Sequence, residues 1–281
     1  MPMKQRSYFF VLFFLAVATL TLLAIQSLSP SASQPESDKK TLVAGYTNEP
    51  PYAYYDETGK VNGLFPAALR NMIQPLGYDK VEWVMMTFEQ LLPALLSNRV
   101  DVIAAGLVVT EQRKPFGCFL SPLALTHTAV MVQDDSPLSN PLHFSDLKNK
   151  NIATLSGSIE ETLAVKHKLG NKLEKVPDVQ AGVSMILTDR ADALMLTRPT
   201  LEYRKKQLNT VEVLAIEELK DEALGPAFLF SHRLHRKLER AQQAQQQFMN
   251  SQEYQNYLRQ FGFVRPPENS LSAECSNRAA S

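Results

Sequence analysis

Asp101-Val102-Ile103-Ala104-Ala105-Gly106-Leu107-Val108-Val109-Thr110-Glu111-Gln112-Arg113 is the stretch that decides the fold. From Val102 to Val109 every residue is apolar or glycine, with no polar alternation. A strand with one solvated face alternates, whereas a strand covered on both faces, as in a parallel sheet between helices, reads as a continuous run. Thr110 followed by Glu111 and Gln112 has the residues of a helix N-cap and an acidic first turn. Backbone N–H groups left free at such a turn, with the Arg113 guanidinium beside them, form a site suited to a carboxylate. The plainer reading of the same residues is a strand–helix joint that carries a surface arginine.

Upstream, strands and helices alternate. A β-rich opening at 41–46 is broken by Asn48-Glu49-Pro50-Pro51-Tyr52, and Asp56-Glu57-Thr58-Gly59-Lys60 has the composition of a hairpin turn. Apolar spacings of three and four predict a helix over 64–76, with Pro66 near its start, where proline is tolerated. A strand at 81–86 and a helix at 88–96 complete a βαβαβ pattern, which implies a parallel sheet with crossover helices.

Downstream the pattern repeats. A strand at 126–133 leads into a polar stretch at 134–140 that suits a crossing between lobes. A strand at 152–155 ends at Ser156-Gly157-Ser158, and Ser158 starts a helix over 159–169 whose first turn holds Glu160 and Glu161, as the helix dipole favours. A helix at 179–188, strands at 193–196 and 211–216, and a return strand at 226–230 follow. The expected organisation is an α/β molecule of two lobes, with 41–133 and 227–265 forming the first and 134–226 the second. The end, 232–260, reads as helix broken at Asn250-Ser251, with 242–247 as its solvated face, and 266–281 as a tail.

Lys4 and Arg6 precede an apolar run at 8–25 and a small, polar exit, the layout of an export signal. Residues 1–33 are therefore read as a signal peptide, with Ser31-Ala32-Ser33 at the cleavage site, and 34–40 as a linker. The run is also long enough for an uncleaved membrane anchor, since about 18 apolar residues begin to span a bilayer. Either way the mature part is exported. Its 29 Lys plus Arg and 29 Asp plus Glu balance, so no field of one sign invites nucleic acid. Cys118 and Cys275 permit one disulfide in an oxidising compartment, two free thiols being the alternative.

Gly45 to Tyr54, Gly63 to Leu69, Pro93-Ala94-Leu95, Asp101 to Gly106, Thr110 to Arg113, Asp192-Ala193 with Pro199, and the ending SQEYQNYLRQFG at 251–262 fall in an order that resembles the amino-acid-type extracellular solute-binding proteins of bacterial ABC transporters. Asn48-Glu49-Pro50-Pro51-Tyr52 and Leu196-Thr197 most resemble the ectoine/hydroxyectoine-binding branch. The resemblance implies two α/β lobes that close on a ligand like a hinge, in the periplasm, with no cofactor. It places Arg113 on the ligand carboxylate, near Gly106 and the Val108 backbone, with Ser158 completing the anion site from the other lobe unless it serves only as a helix cap. Family members that bind ordinary α-amino acids carry a carboxylate where Thr197 stands, so Glu49 is the candidate partner for the ligand's cation. A delocalised cation such as that of ectoine would pair with Glu49 between aromatic faces, for which Tyr52, Phe65 and Phe88 are candidates, core packing being the alternative for each.

Enzyme signatures are missing from the sequence: there is no Gly-x-Ser-x-Gly, His-Glu-x-x-His, phosphate-binding glycine loop or paired-cysteine metal motif. The expected activity is capture of a small zwitterion, an amino acid or an ectoine-like compound, and delivery to the membrane subunits of an importer. A sensor that reports occupancy to a membrane receptor is the first alternative. A dehydratase-like elimination with Glu49 as acid is the remote one.

Overall fold

The computed structural model describes residues 40–268 and 273–275. The expected signal segment and most of the tail lie outside them. Among the described residues no helix is long and apolar enough to cross a membrane.

The first lobe opens with β1 (Thr41–Tyr46), the hairpin β2 (Tyr54–Tyr55) and β3 (Val61–Asn62), helix α1 (Leu64–Met72), β4 (Lys80–Met85), α2 (Leu91–Leu96), β5 (Val102–Ile103) and β6 (Cys118–Phe119). The second holds β7 (Thr128–Gln133), α3 (Phe144–Leu147), β8 (Asn151–Leu155), α4 (Ile159–Lys166), β9 (Lys172–Val176), α5 (Val179–Leu187), β10 (Ala193–Thr197), α6 (Arg198–Lys205) and β11 (Val211–Ala215). The chain then returns to the first lobe as β12 (Leu229–Phe230), α7 (Leu238–Met249), α8 (Gln252–Phe261) and β13 (Glu274–Cys275).

Two sheets follow. The first has the order β13-β6-β12-β5-β1-β4, with β4, β1 and β5 parallel and the other pairings antiparallel. The second has the order β11-β7-β10-β8-β9, where β10, β8 and β9 are parallel and β7 runs against both its neighbours. The apolar run that decided the fold is continuous because it feeds two cores. Val102 and Ala104 pack with α1 and α7 residues such as Leu69 and Phe248, while Ile103, Ala105 and Leu107 pack on the opposite side with Leu91 and Phe119. β10 does the same in the second lobe, sending Ala193 and Met195 one way and Leu194 and Leu196 the other. Leu107, Leu155 and Leu196 share one buried cluster, so the apolar interior runs from lobe to lobe.

Three expectations change. The crossing placed near residue 134 lies earlier: β7, expected to close the first lobe at residue 133, pairs with β10 and β11 of the second. The polar stretch at 134–140 is a surface connection within the second lobe, because Asp134 and Leu142 both hydrogen-bond to second-lobe backbone at Thr210 and Ala215. The chain instead passes between lobes at 120–127 and 224–228, where Thr126 and Leu224 bridge antiparallel. The helix expected from Thr110 is a turn ending in a short 3-10 segment, Lys114–Phe116, since Pro115 has no N–H and its ring restrains the residue before it.

The glutamine-rich face of α7 is the third. Gln242 and Gln245 are buried. Gln242 accepts from the Ser121 N–H at 2.9 Å, and Gln245 donates to the Ser121 carbonyl at 2.9 Å. These amides satisfy a backbone turn that a solvated reading left without partners. Nearby, the Tyr254 hydroxyl donates to the Leu123 carbonyl at 2.9 Å.

Candidate functional site

The strand end after β5, the segment after β1, the start of α4 and the start of α6 meet at one small, nearly filled cavity of about 10 Å³, whose lining includes Glu49, Phe88, Arg113, Ser158, Glu160 and Thr197. Gly106 and Val108 line it as well. Larger hollows open elsewhere, one at Tyr54 and Tyr203 and one at Met86 and Asp178, and neither contains Arg113.

Arg113 is buried, 8 % exposed. Its Nη1 donates to the Val108 carbonyl and its Nη2 to the Gly157 carbonyl of the other lobe, each at 2.9 Å. Its guanidinium carbon stands 5.6 Å from the Phe88 ring centre, within cation–π range. Burial draws the Arg113 pKa down and the Glu160 carboxylate opposes that. Val108, whose backbone the resemblance sets beside the ligand carboxylate, offers its carbonyl to the guanidinium. Ser158 is a helix cap: its Oγ accepts from the Glu161 N–H at 3.1 Å, and its own N–H donates to Leu155 O.

Opposite the cation stand two carboxylates. Glu49 follows β1 and is 4 % exposed; its Oε1 accepts from the Thr200 hydroxyl at 3.1 Å. Thr197 donates in turn to Thr200 at 3.2 Å, so a short hydroxyl chain from the end of β10 to the first turn of α6 reaches across to the first lobe. Burial, with repulsion from Glu160 second, pushes the Glu49 pKa up to about 8. Glu160 is equally buried and accepts from Thr128 at 3.3 Å. Its pKa is raised by burial, against the opposing pull of its own backbone N–H and of Arg113.

Glu160 and Glu161 both stand in the first turn of α4, as expected, but Glu161 pairs with Lys175 at the surface while Glu160 lines the cavity. The turn of α4 separates the two: one side chain faces solvent and its neighbour faces the cavity. A doubled acid at a helix start beside a strand end was the only signal, and it does not say which member turns inward.

Of the three candidate aromatic faces only Phe88 lines the cavity. Phe65 is a core residue 4.8 Å, centre to centre, from Phe228. Tyr52 is fully buried between Phe65 and Phe263, and its ring lies flat against Gly106, where an added Cβ would sit 2.7 Å from Tyr52 Cγ. Its buried hydroxyl lies near those of Thr197 and Thr126 and feels both Glu49 and Glu160.

At the far edge of the first sheet, β13 pairs with β6 and the sulfurs of Cys118 and Cys275 are joined. His232 Nδ1 lies 3.7 Å from one sulfur and 3.8 Å from the other. Among the described residues, the one grouping of potential metal-ligating side chains is this disulfide with its histidine, away from the cavity.

Two α/β lobes joined by a double crossing, with a charged cavity between their strand ends, make this a two-lobed binding protein of the periplasmic type. The chain belongs to the bacterial extracellular solute-binding proteins, family 3, whose model matches residues 42–263. Among its relatives, the arginine-binding extracellular protein of Bacillus subtilis is 27% identical over 218 residues, covering 77% of this chain and 84% of that protein. The crystal structure of the substrate binding protein of an amino acid ABC transporter superposes with a TM-score of 0.71 at 26% identity, over 79% of this chain and 98% of the other. An ancestral arginine-binding protein bound to glutamine gives 0.69 at 26% identity, over 79% and 97%.

Proposed function

We propose that the protein captures a small α-amino acid between its lobes on the outer side of the membrane and hands it to the membrane subunits of an ABC importer. The observation that carries this reading is the buried Arg113 guanidinium facing two buried carboxylates in one cavity, the charge pattern of a receptor for a zwitterion. A guanidinium fork suits a carboxylate better than a point charge does, and the two carbonyls that now hold it would be exchanged for ligand oxygens as the lobes part. Relatives named for arginine and amino acids support the same ligand class. An ectoine-like ring cation, by contrast, calls for stacked aromatic faces, and Phe88 alone is on hand.

A thermal-shift screen across the amino acids and ectoines tests the proposal. An amino acid at about 100 times its dissociation constant should add about 2.7 kcal/mol of stability. Arg113→Lys should lose most of that response and Arg113→Ala all of it. A full-sized response in Arg113→Ala would remove the residue from the site, and a response to ectoine alone would overturn the ligand class.

A further inference from the structure

The far edge of the first sheet gathers the donor atoms of a soft metal site. Cys118 on β6 and Cys275 on β13 stand directly opposite each other in antiparallel register, and residues so opposed have Cβ atoms roughly 4.5–5.5 Å apart. Two sulfurs on such a pair can be bonded to each other, as here, or can share one ion. His232 opens the short 3-10 segment His232–Lys237 and brings Nδ1 to 3.7 Å from one sulfur and 3.8 Å from the other. Around a tetrahedral zinc ion, with Zn–S of about 2.3 Å and Zn–N of about 2.0 Å, nitrogen and sulfur ligands stand about 3.5 Å apart.

The other side of the imidazole sets its tautomer. Nε2 lies 3.2 Å from the Pro115 carbonyl, which can only accept, so in the neutral ring Nε2 carries the proton and the Nδ1 lone pair faces the sulfurs. A disulfide has no hydrogen to offer that lone pair. One ring nitrogen turned to the metal while the other donates to a backbone carbonyl is the arrangement that orients metal-ligating histidines. Burial grades across the group, from fully buried Cys118 through half-buried His232 to exposed Cys275, which leaves an approach from solvent.

We propose that the dithiol form of this cluster is a metal site in which Cys118 Sγ, Cys275 Sγ and His232 Nδ1 hold a soft cation of the zinc(II) class, with water in the fourth position. Metal and disulfide are then alternative fastenings of β13 to the sheet. The dithiol form arises from the disulfide by exchange with a dithiol reductant, which delivers two electrons and two protons and ends as its own disulfide. Metal entry sends both thiol protons to solvent, and two thiolates against one divalent ion leave the site neutral. Thiolate and imidazole donors favour zinc over magnesium or calcium, which prefer oxygen.

The test uses the full chain, reduced with dithiothreitol, freed of it without oxygen and titrated with cobalt(II). Thiolate-to-cobalt charge-transfer absorption and the intense visible bands of tetrahedral cobalt should grow to one equivalent, and zinc(II) should erase them. Zinc at about 100 times its dissociation constant should raise the melting temperature of the reduced protein by at least about 4 °C. The untreated disulfide form should show neither response. His232→Ala and His232→Gln, checked for folding by circular dichroism, should each weaken cobalt binding at least about tenfold. Reduced wild-type protein without charge-transfer absorption, or cobalt affinity unchanged in both His232 variants, would overturn the site.

Discussion

Arg113 reaches two carbonyls, one in each lobe, and so a single side chain both marks the site and bridges it. It was put forward through the family resemblance, since the local residues read as well as a strand–helix joint with a surface arginine. Glu160 was not, because burial depends on which way one helical turn faces. The two acids make a prediction about pH. Glu49 is held above its ordinary value, so the unliganded fold binds more protons than the unfolded chain does. Its contribution to stability is present in full below about 4.5, declines as pH rises, and is lost above about 8. The melting temperature of the unliganded protein should therefore fall between about pH 5 and about pH 9, and Glu49→Gln should flatten that slope. Identical slopes in the two proteins would show that Glu49 titrates normally. Gly106 offers a steric test, since a methyl group there meets the Tyr52 ring. Gly106→Ala should cost about 1–3 kcal/mol in urea unfolding and weaken ligand binding; a change within error would mean the ring moves aside freely.

Among the elements, the continuous apolar strands were the most legible, because a sheet covered on both faces leaves no polar position to blur the run. β1, β5 and β10 each supply alternate residues to opposite cores. β7 was recognised as a strand and assigned to the wrong sheet. Pairing partners are chosen by tertiary contacts, and the polar stretch after β7 looked more like a crossing than 120–127 did, where Pro122, Leu123 and Leu125 are apolar. The α7 glutamines were misread for a related reason: an amide side chain is polar in any count, yet it can be buried when it completes a backbone's hydrogen bonds. Gln245→Ala should accordingly cost about 1–3 kcal/mol by stranding the Ser121 carbonyl. Gln243 and Gln246 on the same helix are controls, and equal effects at all three would point to helix propensity instead.

At the scale of the whole molecule, the two lobes were legible from a repeated alternation of strands and helices, whereas their closed arrangement was not. Arg113 to Gly157, Thr200 to Glu49 and Ser156 to Glu89 join the lobes by side chains far apart in sequence. The Cys118–Cys275 link spans 157 positions and ties β13 to the sheet edge. Replacing both cysteines by serine should lower stability by about 2–5 kcal/mol while leaving ligand affinity nearly unchanged, because the bond lies on the side away from the cavity. Thiol titration before and after unfolding checks that the bond forms, and two reactive sulfhydryls in exported protein would count against it.

The clasp that Gln242, Gln245 and Tyr254 place on Ser121 and Leu123 has a mechanical outcome. One end of the outgoing connection is bolted to the frame of the first lobe as far as Leu125, which pairs with Val264, so any pivoting is left to the few links beyond it, around Thr126 and His127 and their opposite numbers at Leu224 and Gly225. A gate hung this way swings instead of sliding, and its cargo comes and goes along one arc.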